Sequence, residues 1–144
     1  MADTTTKKLN DVLQGVDTLK QMEKFMETAE AADKFKNFPP YYRSLTQVKH
    51  LPDTDLIVRS GIEKSYYYQI IKGTRKPGRD KVLRLCFAAN LTHREATRAL
   101  ELSGNAPLYP KNRRDIILSV ALNQGATVHD ANLLLEKYGE PVLG

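Results

Sequence analysis

The chain has 144 residues, 41% of them hydrophobic, a formal net charge of +5 at pH 7 and a single cysteine, Cys86. That length suits one domain, or a small domain with helical additions, and it suffices to bury a core without disulfide staples. No apolar run approaches the roughly 18 residues of a membrane span, the start Met1-Ala2-Asp3-Thr4-Thr5-Thr6-Lys7-Lys8 lacks the apolar centre of a signal peptide, and one cysteine closes no internal disulfide, so a cytoplasmic location is the expectation.

The charge is unevenly placed. Residues 1–58 hold 8 Lys/Arg and 9 Asp/Glu, residues 59–84 hold 8 and 2, and residues 85–144 hold 6 and 6. The whole positive excess therefore lies in one short central stretch. A solvated surface scatters its charges, whereas a concentrated basic stretch is the footprint of phosphate contact.

In chain order, residues 1–6 read as an unstructured tail. From Lys7 an apolar series at spacings of three and four, Leu9, Val12, Leu13, Val16, Leu19, Met22, Phe25 and Met26, predicts one amphipathic helix. Its stripe can pack on the chain's own core or pair with a second subunit. Asn37-Phe38-Pro39-Pro40 ends that pattern, and proline suits the first turn of the next helix. That helix is expected over Tyr41–His50, with Tyr42, Leu45 and Val48 facing inward. Leu51-Pro52-Asp53 breaks it, and Asp53 or Thr54 is placed to cap a short helix ending at Ser60.

Next comes Gly61-Ile62-Glu63-Lys64-Ser65-Tyr66-Tyr67-Tyr68-Gln69-Ile70-Ile71-Lys72-Gly73, followed by Thr74-Arg75-Lys76-Pro77. Two glycines able to take the left-handed conformation bracket a helix over Glu63–Lys72. Lys64, Tyr68 and Lys72 fall at i, i+4 and i+8 on one face, with Ser65 and Gln69 beside them, while Tyr67 and Ile70 face the other way, toward a core. The result is a short helix with a cationic, hydrogen-bonding outer face and a basic loop behind it.

Asp53–Leu91 resembles the helix-turn-helix core of the Cro/lambda-repressor type, the XRE family. The residues that carry the resemblance are Leu56, Gly61, Ile62, Tyr67, Ile70, Lys72-Gly73 and Lys76-Pro77, then the apolar series Val82, Leu83, Leu85, Ala88 and Leu91. The chain departs from the family layout at Ile57, where a small residue is usual, at Ser60, where a large apolar one is usual, and at Ile71, where a charge is common. A different helix crossing, and cover over Ile71 from another part of the chain, are the expectations. The resemblance implies double-stranded DNA as partner, with the third helix in the major groove. Lys64, Ser65, Tyr68 and Gln69 would then touch base edges, since lysine suits guanine acceptors and glutamine suits adenine. Lys72, Thr74, Arg75, Lys76 and Arg79 would meet phosphates and set affinity rather than sequence.

Beyond the loop the sequence repeats itself. Residues 79–108 match 114–143 at a constant offset of 35 without gaps, with identities at Arg79/Arg114, Asp80/Asp115, Leu83/Leu118, Thr92/Thr127, Ala96/Ala131, Leu100/Leu135, Glu101/Glu136, Gly104/Gly139 and Leu108/Leu143. Each copy reads as a helix, a turn, a threonine-capped helix and a glycine stop, with Thr92-x-x-Glu95 at capping-box spacing. No stretch alternates with period two, so no sheet is expected.

His50, His93 and His129 lack metal-ligand spacing, nothing pairs a nucleophile with a base, and Gly73-Thr74-Arg75-Lys76 lacks the glycine spacing of a phosphate cradle. The reading is thus a non-enzyme with no metal and no cofactor. Its expected fold is all-α: an N-terminal tail and amphipathic helix (1–38), a lambda-repressor-like helix-turn-helix domain (39–108) and an additional C-terminal helical hairpin (109–144) repeating 79–108. Its expected function is sequence-specific regulation of transcription, as a repressor of bacterial or phage type. A homodimer is expected because one recognition helix covers only a few base pairs. The alternative is an adaptor that uses the Tyr66-Tyr67-Tyr68 and basic face to grip a protein partner.

Overall fold

The computed structural model describes residues 18–32 and 35–144. Among them every regular element is a helix: α1 Leu19–Ala32, α2 Phe38–Ser44, α3 Thr46–Lys49, α4 Asp53–Ser60, α5 Lys64–Lys72, α6 Arg79–Ala88, α7 His93–Leu102, α8 Arg113–Asn123 and α9 Val128–Lys137. None of these helices is long and apolar enough to cross a membrane. The chain divides into two units, Met1–Lys36 and Asn37–Gly144, so that 39–108 and 109–144 fall in the same one.

In the first unit, Thr18 starts α1 by accepting a hydrogen bond from the Gln21 N–H at 3.1 Å. Of the expected stripe, Leu9, Val12, Leu13 and Val16 lie outside the described residues, while Leu19, Met22 and Met26 are exposed.

The second unit begins with α2, whose first turn holds Pro39 where a missing N–H leaves no bond unmade. The single helix expected over Tyr41–His50 is two. Leu45 takes an extended conformation (φ −71°, ψ 134°) and separates α2 from α3. The sequence signal for this break is weak, because leucine is a good helix former; packing overrides propensity here. Tyr42 is fully buried, and its hydroxyl donates to the Leu85 carbonyl of α6 at 2.8 Å. Gln47 of α3 donates to Glu95 of α7 at 2.7 Å.

Helix α4 starts at Asp53 with Pro52 in the capping position and no side-chain cap. Asp53 is therefore not the cap. As the first helical residue it adds negative charge at the positive end of the helix, and it accepts the Tyr67 hydroxyl proton at 2.7 Å. Gly61 (φ 68°, ψ 16°) then turns the chain from α4 into α5. A side chain there would meet strain from its positive φ and the Arg84 guanidinium, whose Nη1 lies 2.9 Å from where a Cβ would sit.

A single cluster of buried side chains runs from Phe38 to Leu143 and includes Leu56, Ile62, Tyr67, Ile70 and Ile71. Fully burying each large aliphatic side chain contributes about 2 kcal/mol. Cys86 is fully buried in this cluster, and desolvation pushes its thiol far above the usual range, which leaves it a small hydrophobe rather than a nucleophile.

Hairpins α6–α7 and α8–α9 share a construction. Helices α7 and α9 start and end 35 residues apart. Asn90 (φ 54°) and Gly125 (φ 67°), also 35 apart, both turn in the left-handed region. Leu83/Leu118, Ala96/Ala131, Leu100/Leu135 and Leu108/Leu143 are buried in both copies. The hairpins meet through a reciprocal exchange. Arg79 pairs with Asp115 (2.8 and 2.9 Å) and Arg114 pairs with Asp80 (3.0 and 3.0 Å), both bidentate. Arg79 also holds the exit of its own hairpin through Ala106 O and Pro107 O, and Arg114 does the same through Pro141 O and Val142 O. The aspartates complete the pattern by accepting from the N–H groups of Gly144 (Asp80) and Tyr109 (Asp115). Burial raises both carboxyls, but the hydrogen bonds from the arginines and these N–H groups outweigh it and hold both below the ordinary 3.8.

The tail is also tied to the turn between α4 and α5. Arg84 donates to Ser60 O at 2.9 Å, Leu143 O at 2.7 Å and Gly144 O at 2.9 Å.

Candidate functional site

Helix α5 is built to present one face. Glu63 caps its start by accepting from the Ser65 and Tyr66 N–H groups at 3.0 and 3.1 Å, and Gly73 (φ 79°) ends it. Past Gly73 the Thr74 and Arg75 N–H groups both return to the Gln69 carbonyl, at 3.0 and 3.2 Å, which folds the basic loop against the last turn of the helix. Tyr67, Ile70 and Ile71 bury the inner face. Burial and the Asp53 hydrogen bond raise the Tyr67 hydroxyl well above its usual range, so it stays a neutral donor that ties α5 to the start of α4.

The outer face carries Lys64, Ser65 and Gln69, all exposed, with Tyr68 half-buried against the Tyr67 ring (centroids 5.3 Å apart, planes at 79°). Lys72, Thr74, Arg75 and Lys76 follow, also exposed. One of these, Arg75, is held in place. The Arg75 guanidinium lies 4.1 Å from the centre of the Tyr66 ring, a cation–π contact, and its Nη1 approaches Gln69 Oε1 at 3.4 Å. Lys76 extends over Gly104, where an added Cβ would come within 2.7 Å of Nζ. The tyrosine run thus divides its labour: Tyr67 in the core, Tyr66 under Arg75, Tyr68 on the flank.

Arg79 stands apart from this group. Its guanidinium nitrogens all donate within the chain, to Asp115, Ala106 O and Pro107 O. It joins the two hairpins, and its partner Asp115 lies 36 positions away, beyond the reach of local pattern. The departures at Ser60 and Ile71 also find their places. Ser60 is fully buried and accepts the Ile62 N–H at 3.3 Å, so the buried side of the turn carries a satisfied hydroxyl. Ile71 is 6% exposed.

Ile71 lines a groove of about 710 Å³ between the start of α2 and the end of α5, walled by Pro39, Pro40 and Pro77 and by Arg43, Lys72, Arg75 and Lys76. Arg43 gives no sequence signal for this position, since it lies on a different helix outside the basic stretch. Among the described residues no group of three or more His, Cys, Asp or Glu is gathered as a metal site would require.

Compared with known proteins, the chain matches no family model, no curated protein and no solved structure.

Proposed function

We propose that the protein binds double-stranded DNA as a lambda-repressor-like, XRE-type helix-turn-helix regulator, with α4 across the backbone and α5 in the major groove. The observation that carries this reading is the α5 frame. A glycine turn and a glycine stop bound a helix whose exposed face is Lys64, Ser65 and Gln69, continued by Lys72, Thr74, Arg75 and Lys76. Lys64 and Gln69 supply donors for base edges, Ser65 and Tyr68 flank them, and the basic loop neutralises phosphates. Arg79, expected as a further phosphate contact, has its guanidinium nitrogens bonded to Asp115, Ala106 O and Pro107 O. The reading is of a cytoplasmic, non-enzymatic repressor acting as a homodimer, its second copy meeting either the α1 stripe of Leu19, Met22 and Met26 or the apolar face of Ile116, Val120 and Leu133, all of them exposed. The adaptor alternative has less support, because Tyr66 already carries Arg75 and presents little ring to a partner.

Selection of bound duplexes from a random pool, with affinity followed against salt, tests the reading. The expected outcome is a palindrome bound with a steep salt slope, each of Lys72→Ala and Lys76→Ala weakening binding evenly across sequences and reducing the slope by about one. Absence of binding at low salt would sink it.

A further inference from the structure

The groove between α2 and α5 has a one-signed wall. Its charged lining residues are Arg43, Lys72, Arg75 and Lys76, and among the described residues no carboxylate lines it. Three other arginines of this unit sit on carboxylates: Arg79 on Asp115, Arg114 on Asp80 and Arg113 on Glu140 at 3.4 Å. Like charges lining one cavity repel one another, and an anion inside would relieve that repulsion, most directly at Arg43 and Lys72, since the Arg75 guanidinium rests on the Tyr66 ring and the Lys76 Nζ lies beside Gly104.

The groove's other walls strengthen the attraction. Ile71 and the prolines exclude water from one side of any occupant, which lowers the local dielectric and makes each cation count for more than on an open surface. The volume of about 710 Å³ lies inside the range of roughly 300–1,000 Å³ typical of small-molecule sites. Arginine offers a planar fork that matches two phosphate oxygens, and lysine a point charge. Arg43 lines the groove from α2, and Lys72, Arg75 and Lys76 line it from α5 and its loop.

We propose that this groove is a phosphoanion-binding site in which Arg43 acts with Lys72, Arg75 and Lys76, on a free polyphosphate or on the backbone phosphates of bound duplex. The site shares three residues with the DNA reading but stands without it, since a free phosphoanion needs neither α5 in a groove nor a second subunit.

Titration calorimetry of the full chain with sodium tripolyphosphate tests it. Saturable binding is expected, weakened about tenfold by Arg43→Gln, as the loss of one charged hydrogen-bond pair implies, and by less than about twofold by Lys111→Gln, an equal loss of charge on an exposed residue outside the groove. Arg43 is exposed, and an unchanged melting temperature of Arg43→Gln shows that a loss of binding is not a loss of fold. Absence of saturable binding, or equal losses in the two variants, would overturn the proposal. Adding random-sequence duplex separates the sources. Displacement of tripolyphosphate identifies backbone phosphate as an occupant, and retention identifies a free phosphoanion. Arg43-dependent tripolyphosphate binding by a protein that binds no duplex would keep this site and remove the DNA reading; duplex binding indifferent to Arg43, with no tripolyphosphate bound, would do the reverse.

Discussion

Leu85 and Val120 occupy the same position in hairpins α6–α7 and α8–α9, and Leu85 is fully buried while Val120 is 44% exposed. The neighbours follow suit: Ala88 and Ala89 are buried in the first hairpin, where the second has exposed Asn123 and Gln124. Helices α4 and α2 account for the difference. In the first hairpin α4 packs on α6 and α2 on α7, with Tyr42 bonded to the Leu85 carbonyl, and the second hairpin has no counterpart to either among the described residues. The inner faces are alike in both copies, so the shared pattern specifies the hairpin, and the outer residues specify whether another layer follows.

The largest test of this contrast is a pair of truncations. Leu85→Ala is expected to lower stability by about 3 kcal/mol in urea denaturation, and Val120→Ala by less than about 0.5 kcal/mol. Equal losses would mean that Val120 is covered in solution. The junction comes next. Asp115→Asn is expected to cost about 2 kcal/mol by unmatching Arg79, and Asp80→Asn less, because the Asp115 side chain is 6% exposed and that of Asp80 30%. Both carboxyls sit below 3.8 in the folded chain. Their contribution is therefore complete above the unfolded value and lost as pH falls through the lower, folded one. Acid denaturation profiles of the two variants are expected to be flatter than wild type below about pH 4.

Smaller effects separate the caps. Glu95 returns a hydrogen bond to the Thr92 N–H in a complete capping box and also accepts from Gln47, whereas at the α9 start Thr127 accepts from the Asp130 N–H. Glu95→Ala should cost about 1 kcal/mol and Asp130→Ala about 0.3 kcal/mol by thermal melting. The least effect is expected at the turns. Since Asn90 holds a positive φ where the second hairpin has Gly125, Gly125→Asn should change stability by no more than about 0.5 kcal/mol, with Gly125→Val clearly worse.

The α5 frame was legible in the sequence because its signals are local, two glycines and a three-to-four spacing, whereas the sequence reading put Glu63 inside the helix that it caps. The equivalence of the hairpins was legible too, since a constant offset survives in the letters. That Arg79 and Asp115 bond to each other was not. Both were noted as repeated residues, but repetition marks equivalent places and says nothing of which places touch. The same limit hid the partners of Arg79, which the sequence reading had set beside the loop cations as a phosphate contact, and it kept Arg43 out of the groove. The break at Leu45 was hidden for another reason, since an extended leucine between two helices is set by what packs around it.

Arg84 joins two segments distant in sequence, the last carbonyl of α4 and the final two carbonyls of the tail, through one guanidinium. The consequence lies in how the native state opens. Losing the tail contact frees the cation that anchors the turn ahead of α5, so the two segments behave as one cooperative unit in hydrogen exchange. Amides at Ile62 and Leu143 are expected to exchange with a common opening free energy, and Arg84→Gln to split them into two.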